Sequence, residues 1–96
     1  MRNVQVVENW SEIEGKVAAV APHPELAGYV TATIDVERVS PVEGYANLFS
    51  SAAGGPLEVN IPAEKAAGLS SAAKIRMRIR KAGPARVFAD PDSITR

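Results

Sequence analysis

A row of basic side chains is the feature of this sequence that is best suited to chemistry. Four basic residues occupy every second position of an otherwise apolar segment: Lys74, Arg76, Arg78 and Arg80. Alternate residues on one face of a strand lie about 6.6–7 Å apart, close to the phosphate spacing of an extended single strand of nucleic acid. We therefore expect this row to bind a polyanion, with Lys81 and Arg86 extending it across the turn at 82–84.

Two aromatic residues, Tyr45 and Phe49, are the candidates for stacking on bases beside that row. If Leu48 points into the core, Tyr45 and Phe49 form an exposed pair on which bases can stack. If they point inward instead, they fill the core, and Asn47 on the same face needs a buried hydrogen-bond partner. The second arrangement is favoured, because the sequence has few other large residues with which to fill a core.

A purely structural interpretation of the basic row competes with the interpretation that it binds a polyanion. A basic strand face is often simply solvated, or paired with acidic side chains of a neighbouring strand. Asp35, Glu37 and Glu58 lie on the polar faces of their own predicted strands and are the expected partners, whereas Glu12 and Glu14 are assigned to a solvated turn. The 11 basic and 11 acidic residues cancel, which weakens the case for nucleic acid, since such domains usually carry a basic excess.

The charges are divided unequally between the two halves of the chain. Residues 1–48 carry a formal charge of −4, and residues 49–96 carry +4. This division supports a second hypothesis, in which a structural or protein-interaction barrel self-associates, or docks on a larger partner such as an acidic protein, through its charge-complementary halves.

Catalysis and metal binding find little support in the residue types. The chain has no cysteine and a single histidine, His23, which excludes a disulfide framework, a thiolate nucleophile and a cysteine-ligated metal. His23 lies between two prolines and is interpreted as a surface-loop residue. No spacing brings together a nucleophile, a base and an orienting group. We expect a binding protein without cofactor or metal, and not an enzyme.

Short strands separated by Gly- and Pro-rich turns must position these residues. The clearest is predicted at 29–39, where apolar and polar residues alternate over the whole length. Further strands are predicted at 4–7, 16–21, 45–49, 57–61, 74–81 and 85–89, with a turn or one loose helical turn at 9–15 that stops at Gly15. One short helix is predicted at 63–68, opened by Pro62 and closed by Gly68. The pattern predicts a mainly β fold, a small closed barrel of five to six strands with one short helix.

The order of these elements resembles an OB-fold. The likeness covers most of residues 15–94: a strand after Gly15, the long strand 29–39, the stretch YANLFSSAAGGPLEVNIP, the helix, and KIRMRIRKAGPARVFADPDSI. It is a likeness of pattern, and an SH3-like barrel or an oxyanion-binding module of the molybdate-transport type gives a similar string. OB-folds bind single strands in a groove, with aromatic residues stacking on bases. The resemblance thus implies single-stranded nucleic acid as the ligand of the basic row.

Length and composition are typical of one soluble globular domain spanning residues 1–96. The chain is 46% hydrophobic and 23% charged, which excludes a disordered chain. No apolar run approaches the ~20 residues of a membrane helix, and the N-terminus lacks the apolar core of a signal peptide. We expect a cytoplasmic location and no membrane partner, and leave the oligomeric state open.

Overall fold

Alternation of apolar and polar residues builds a closed β-barrel in the computed structural model, which describes residues 8–83 and 86–96. Its strands are β1 (Ser11–Pro22), β2 (Tyr29–Pro41), β3 (Pro56–Pro62), β4 (Lys74–Lys81) and β5 (Val87–Ala89). They close in the order β1-β2-β3-β5-β4, with only the β3–β5 pair parallel. The predicted fold class, a small mainly β barrel with one short helix, is confirmed with five strands in the described part of the chain. The predicted strand at 4–7 lies outside the described residues.

The inward positions of all five strands form one core. Its fully buried side chains include Ile13 and Val17 of β1, Ala32, Ile34 and Val36 of β2, Val59 and Ile61 of β3, and Ile75, Met77 and Ile79 of β4. Polar residues occupy the positions between them and face outward. Because side chains on a strand alternate between two faces, burying the aliphatic set forces the charged set onto the outer surface.

The predicted turn at 9–15 is wrong, because β1 runs without interruption through Gly15. At this position β1 and β2 approach each other so closely that a Cβ on Gly15 would overlap the backbone carbonyl of Asp35. The β1–β2 register also shifts between Glu14 and Gly15, which is typical of a β-bulge. Glycine here permits close strand approach and does not end the strand.

The predicted strand at 45–49 is also wrong, because this segment consists of a bend, a single bridge residue (Ala46) and a turn. Asn47 Oδ1 accepts hydrogen bonds from Ser11 Oγ and from the backbone N–H of Phe49. These contacts fold the chain so that Phe49 enters the core, where it is 7% exposed. The side chain of Ser11, fully buried inside the barrel, supplies the partner that Asn47 needs.

The helix α1 (Ala63–Ala66) follows β3 and precedes β4. It is two residues shorter than predicted, and Gly68 adopts a left-handed conformation (φ 83°) just after it. Ala66 packs against the core. None of the helices in the described ranges is long and apolar enough to cross a membrane.

Residues outside the strands hold β4 in place. The amide of Asn9 pairs with the backbone of Lys81, accepting from its N–H at 2.8 Å and donating to its carbonyl at 3.0 Å. On the edge away from β1, Thr95 exchanges two backbone hydrogen bonds with Arg76, and Ser93 Oγ accepts from the N–H of Arg78. The strand that carries the basic row is therefore fixed along both edges.

Candidate binding surface

The basic row lies on the outside of the barrel. The side chains of Lys74, Arg76, Arg78 and Arg80 are all exposed, while the three apolar residues between them are buried. β4 has the bounds that the alternation predicts, Lys74–Lys81. The row is thus presented to solvent along one ribbon of backbone.

Acidic residues of β1, not those expected from the sequence, face this row. The antiparallel register sets Glu14 opposite Arg76 and Glu12 opposite Arg78. Glu14 Oε1 lies 3.9 Å from Arg76, and its other oxygen lies 3.8 Å from Arg38 of β2. The assignment of Glu12 and Glu14 to a solvated turn is therefore wrong, because β1 is continuous and carries both along the flank of β4.

Neutralisation of the row is uneven along its length. Arg76 shares Glu14 with a second arginine, and Lys74 lies opposite another cation, Lys16. Among the residues that the structure describes, Arg78 and Arg80 have no carboxylate within ion-pair distance. Of the four cations in the row, only Arg76 has an acidic partner in the described ranges; Lys74 has none at one end, and Arg78 and Arg80 have none at the end nearest β5.

An aromatic pair lies beside that end of the row. The guanidinium carbon of Arg80 is 5.9 Å from the centroid of the Phe88 ring, within the range of a cation–π contact. The ring of Phe88 in turn meets Tyr29 edge to face, with centroids 5.9 Å apart and planes at 83°. Both residues are half-buried, so part of each side chain reaches solvent on the outside of the barrel.

Sequence reasoning missed this pair because its members lie on β2 and β5, far apart in the chain. The strand order brings them close together, because β3 alone lies between β2 and β5, and Phe88 pairs with Asn60 of β3. The sequence did carry a signal, which was the position of each residue in the apolar–polar alternation. Tyr29 and Phe88 both fall on the polar, outward register of their strands, where a large aromatic residue is unusual.

The aromatic residues chosen from the sequence do not form an exposed pair. Phe49 belongs to the core, so the prediction that it stacks on bases is wrong. Tyr45 is 42% exposed but lies in a turn, and Leu48 points outward at 45% exposure. The inward alternative, which the sequence favoured, holds for Phe49 alone, because a turn does not place residues 45 and 49 on one face.

Lys81 and Arg86 do not simply prolong the row. Lys81 is half-buried at the end of β4, and Arg86 is exposed just before β5. Their segments are joined by a hydrogen bond from the N–H of Ala82 to the carbonyl of Arg86. Arg86 lines a groove of about 260 Å³ that Thr31 and Asn60 also line.

The opposite wall of this groove is the β1–β2 loop. There the imidazole Nδ1 of His23 accepts hydrogen bonds from the backbone N–H groups of Glu25 (3.0 Å) and Leu26 (2.9 Å). The ring thereby fixes the turn that places Glu25 at the groove. In the described ranges no cluster of three histidine, aspartate or glutamate side chains is placed to hold a metal ion.

Comparison of the chain with protein-family models, with curated proteins and with solved structures finds no match. A function is therefore inferred from the geometry of this surface.

Proposed function

We propose that this chain is a non-enzymatic binding module of the OB-fold type that binds single-stranded nucleic acid on the outer face of its barrel. The observation that carries the proposal is the contact of Arg80 with Phe88 and of Phe88 with Tyr29. A cation without an acidic partner in the described residues, next to two half-buried aromatic rings on the outside of the barrel, suits a phosphate and its base.

The topology supports the OB-fold part of the proposal. The strand order β1-β2-β3-β5-β4 and a helix between β3 and β4 are those expected of an OB-fold. OB-folds bind oligonucleotides across the β2–β3 face and between the β1–β2 and β4–β5 loops. Tyr29 and Phe88 flank β3 on this face, and the loops bearing His23 and Arg86 border it.

In this arrangement the rings and the cations have separate tasks. Bases stack on Tyr29 and Phe88, which requires no particular base because every base has a π face. Arg78, Arg80 and Arg86 contact phosphates, with Lys74 further along the strand. Glu12 and Glu14 set the limit of the binding surface on the β1 side, because carboxylates there repel a phosphate backbone.

Fluorescence polarisation with a labelled single strand of about 15 nucleotides tests the proposal. At low salt we expect micromolar binding whose affinity falls steeply as salt is raised. Phe88→Leu keeps the apolar bulk but removes the stacking face, so affinity falls by roughly 5- to 150-fold, corresponding to about 1–3 kcal/mol per stacked base. Arg80→Gln lowers the slope of log K against log salt by about 0.7.

Arg38→Gln is the matched control for Arg80→Gln. Arg38 is an exposed arginine of the same barrel, but it lies on β2 beside Glu14 and away from the aromatic pair. We expect its replacement to leave affinity nearly unchanged. Absence of micromolar binding at low salt, or equal losses for both arginine variants, would refute the proposal.

The alternative function, self-association through the oppositely charged halves, has less support. The Glu14–Arg76 ion pair joins one charge from each half within a single barrel. That contact uses part of the complementarity that docking between copies requires. Light scattering at high protein concentration would reveal an assembly that weakens with salt, and a strict monomer would dismiss this version.

A further inference from the structure

The groove between the β1–β2 loop and Arg86 has a chemistry different from that of the basic row. Two carboxylates border it, those of Glu25 and Glu58. Glu58 and Asn60 lie two residues apart on the outward face of β3, opposite Thr33 and Thr31 of β2. The two carboxylates outnumber Arg86, the cation that also lines the groove, so the groove suits a neutral ligand group that can donate hydrogen bonds.

Asn60 shows that the groove has a hydrogen-bonding capacity that the protein itself does not use. The residue is only 8% exposed, and its Oδ1 accepts a 3.4 Å hydrogen bond from Thr31 Oγ1. Its Nδ2 has no hydrogen-bond partner among the described residues. Because no fully buried side-chain nitrogen or oxygen in those ranges lacks a partner, Nδ2 must keep an open side, and the groove is the opening that Asn60 lines.

A base stacked on the aromatic pair brings its edge to this place. Phe88 is the cross-strand neighbour of Asn60, so a ring lying on Phe88 has Asn60 beside it, and Glu58 is the next outward residue along β3. The amide nitrogen needs an acceptor, and the carboxylate needs a donor. A base edge that presents an acceptor next to an amino group satisfies both.

We propose that this groove reads the base edge and prefers cytosine to thymine. This inference rests on the proposed function. The N4 amino group of cytosine donates to the carboxylate of Glu58, as acidic side chains accept from this group elsewhere, and Asn60 Nδ2 donates to N3. Thymine carries its O4 carbonyl where cytosine carries N4. O4 of thymine would therefore face a carboxylate oxygen of Glu58 with no hydrogen between them. Arg86, on the same groove, contacts the adjoining phosphate.

The experiment compares oligo(dC) with oligo(dT), each of about 15 nucleotides, at mildly alkaline pH where cytosine is unprotonated. Both are pyrimidines of the same ring size, so stacking contributes similarly to both. The wild-type chain should bind oligo(dC) at least about fivefold more tightly, the discrimination of one good base contact. The measured quantity is the ratio of the affinities for oligo(dC) and oligo(dT). Removing any acidic side chain raises the affinity for both strands, so only the ratio reports base preference.

Glu58→Gln should bring the ratio close to one, because an amide no longer distinguishes an amino group from a carbonyl. Glu64→Gln, the same change at an exposed helix position, should keep the wild-type ratio. Equal binding of both strands by the wild type overturns this inference and leaves the proposed function standing. A preference that survives in Glu58→Gln also overturns it, and failure of both strands to bind refutes the proposed function as well.

Discussion

Replacing Gly15 by alanine tests the close approach of β1 and β2 on which the barrel depends. The added Cβ would overlap the carbonyl oxygen of Asp35, lie 2.9 Å from its carbonyl carbon and 3.1 Å from Cγ2 of Ile34. The two strands are paired on either side of this point, so the neighbouring backbone has no direction in which to yield freely. We therefore expect the Gly15→Ala substitution to strain the barrel at this position.

The expected loss of stability follows from two opposing effects. Overpacking of a well-filled interior costs about 1–3 kcal/mol, and sometimes more. Alanine also restricts the unfolded chain, which stabilises the folded state by about 0.4–1 kcal/mol. The net result is destabilisation by roughly 1–2 kcal/mol, which in a domain of this size lowers the Tm by about 4–16 °C.

Gly55→Ala is the matched control. Its added Cβ would meet nothing closer than an atom at 4.0 Å, and Gly55 has no positive φ. Both variants restrict the unfolded chain equally, so the difference between their Tm values isolates the steric effect. Thermal and urea unfolding followed by circular dichroism measure it. If Gly15→Ala is as stable as Gly55→Ala, the strands do not approach as described and the continuous β1 is refuted.

Two further substitutions test the elements that hold and flank the basic row. Asn9→Ala removes the amide that pairs with the backbone of Lys81 and leaves two polar groups without partners, so urea unfolding should show a loss of about 1–3 kcal/mol; an unchanged unfolding midpoint would contradict this role. Glu14→Gln removes two surface ion pairs at 3.8 and 3.9 Å, so stability should change by less than about 1 kcal/mol. The same variant should bind an anionic single strand more tightly at low salt, because an acid beside the row is gone, and weaker binding would contradict the assignment of that surface.

The fate of particular residues shows how far the sequence alone could predict the site. Lys74 to Arg80 could be placed correctly because alternation is local: each residue's face follows from that of its neighbour. Glu12 and Glu14 were misplaced because Gly15 has the signature of a break, and only the backbone of Asp35 shows why it is needed.

Local alternation in the amino-acid sequence is enough to predict strands with one apolar and one polar face, one short helix, and a row of cations pointing away from the core. The reason is that side chains alternate between the two faces of a strand, so each residue's burial follows from that of its neighbour. Which charges pair and which aromatic rings come into contact depends on how the strands close into the barrel. The order of the strands in the barrel pairs Arg76 with Glu14 and brings Phe88 into contact with Tyr29. That order is set by contacts between residues remote in the chain.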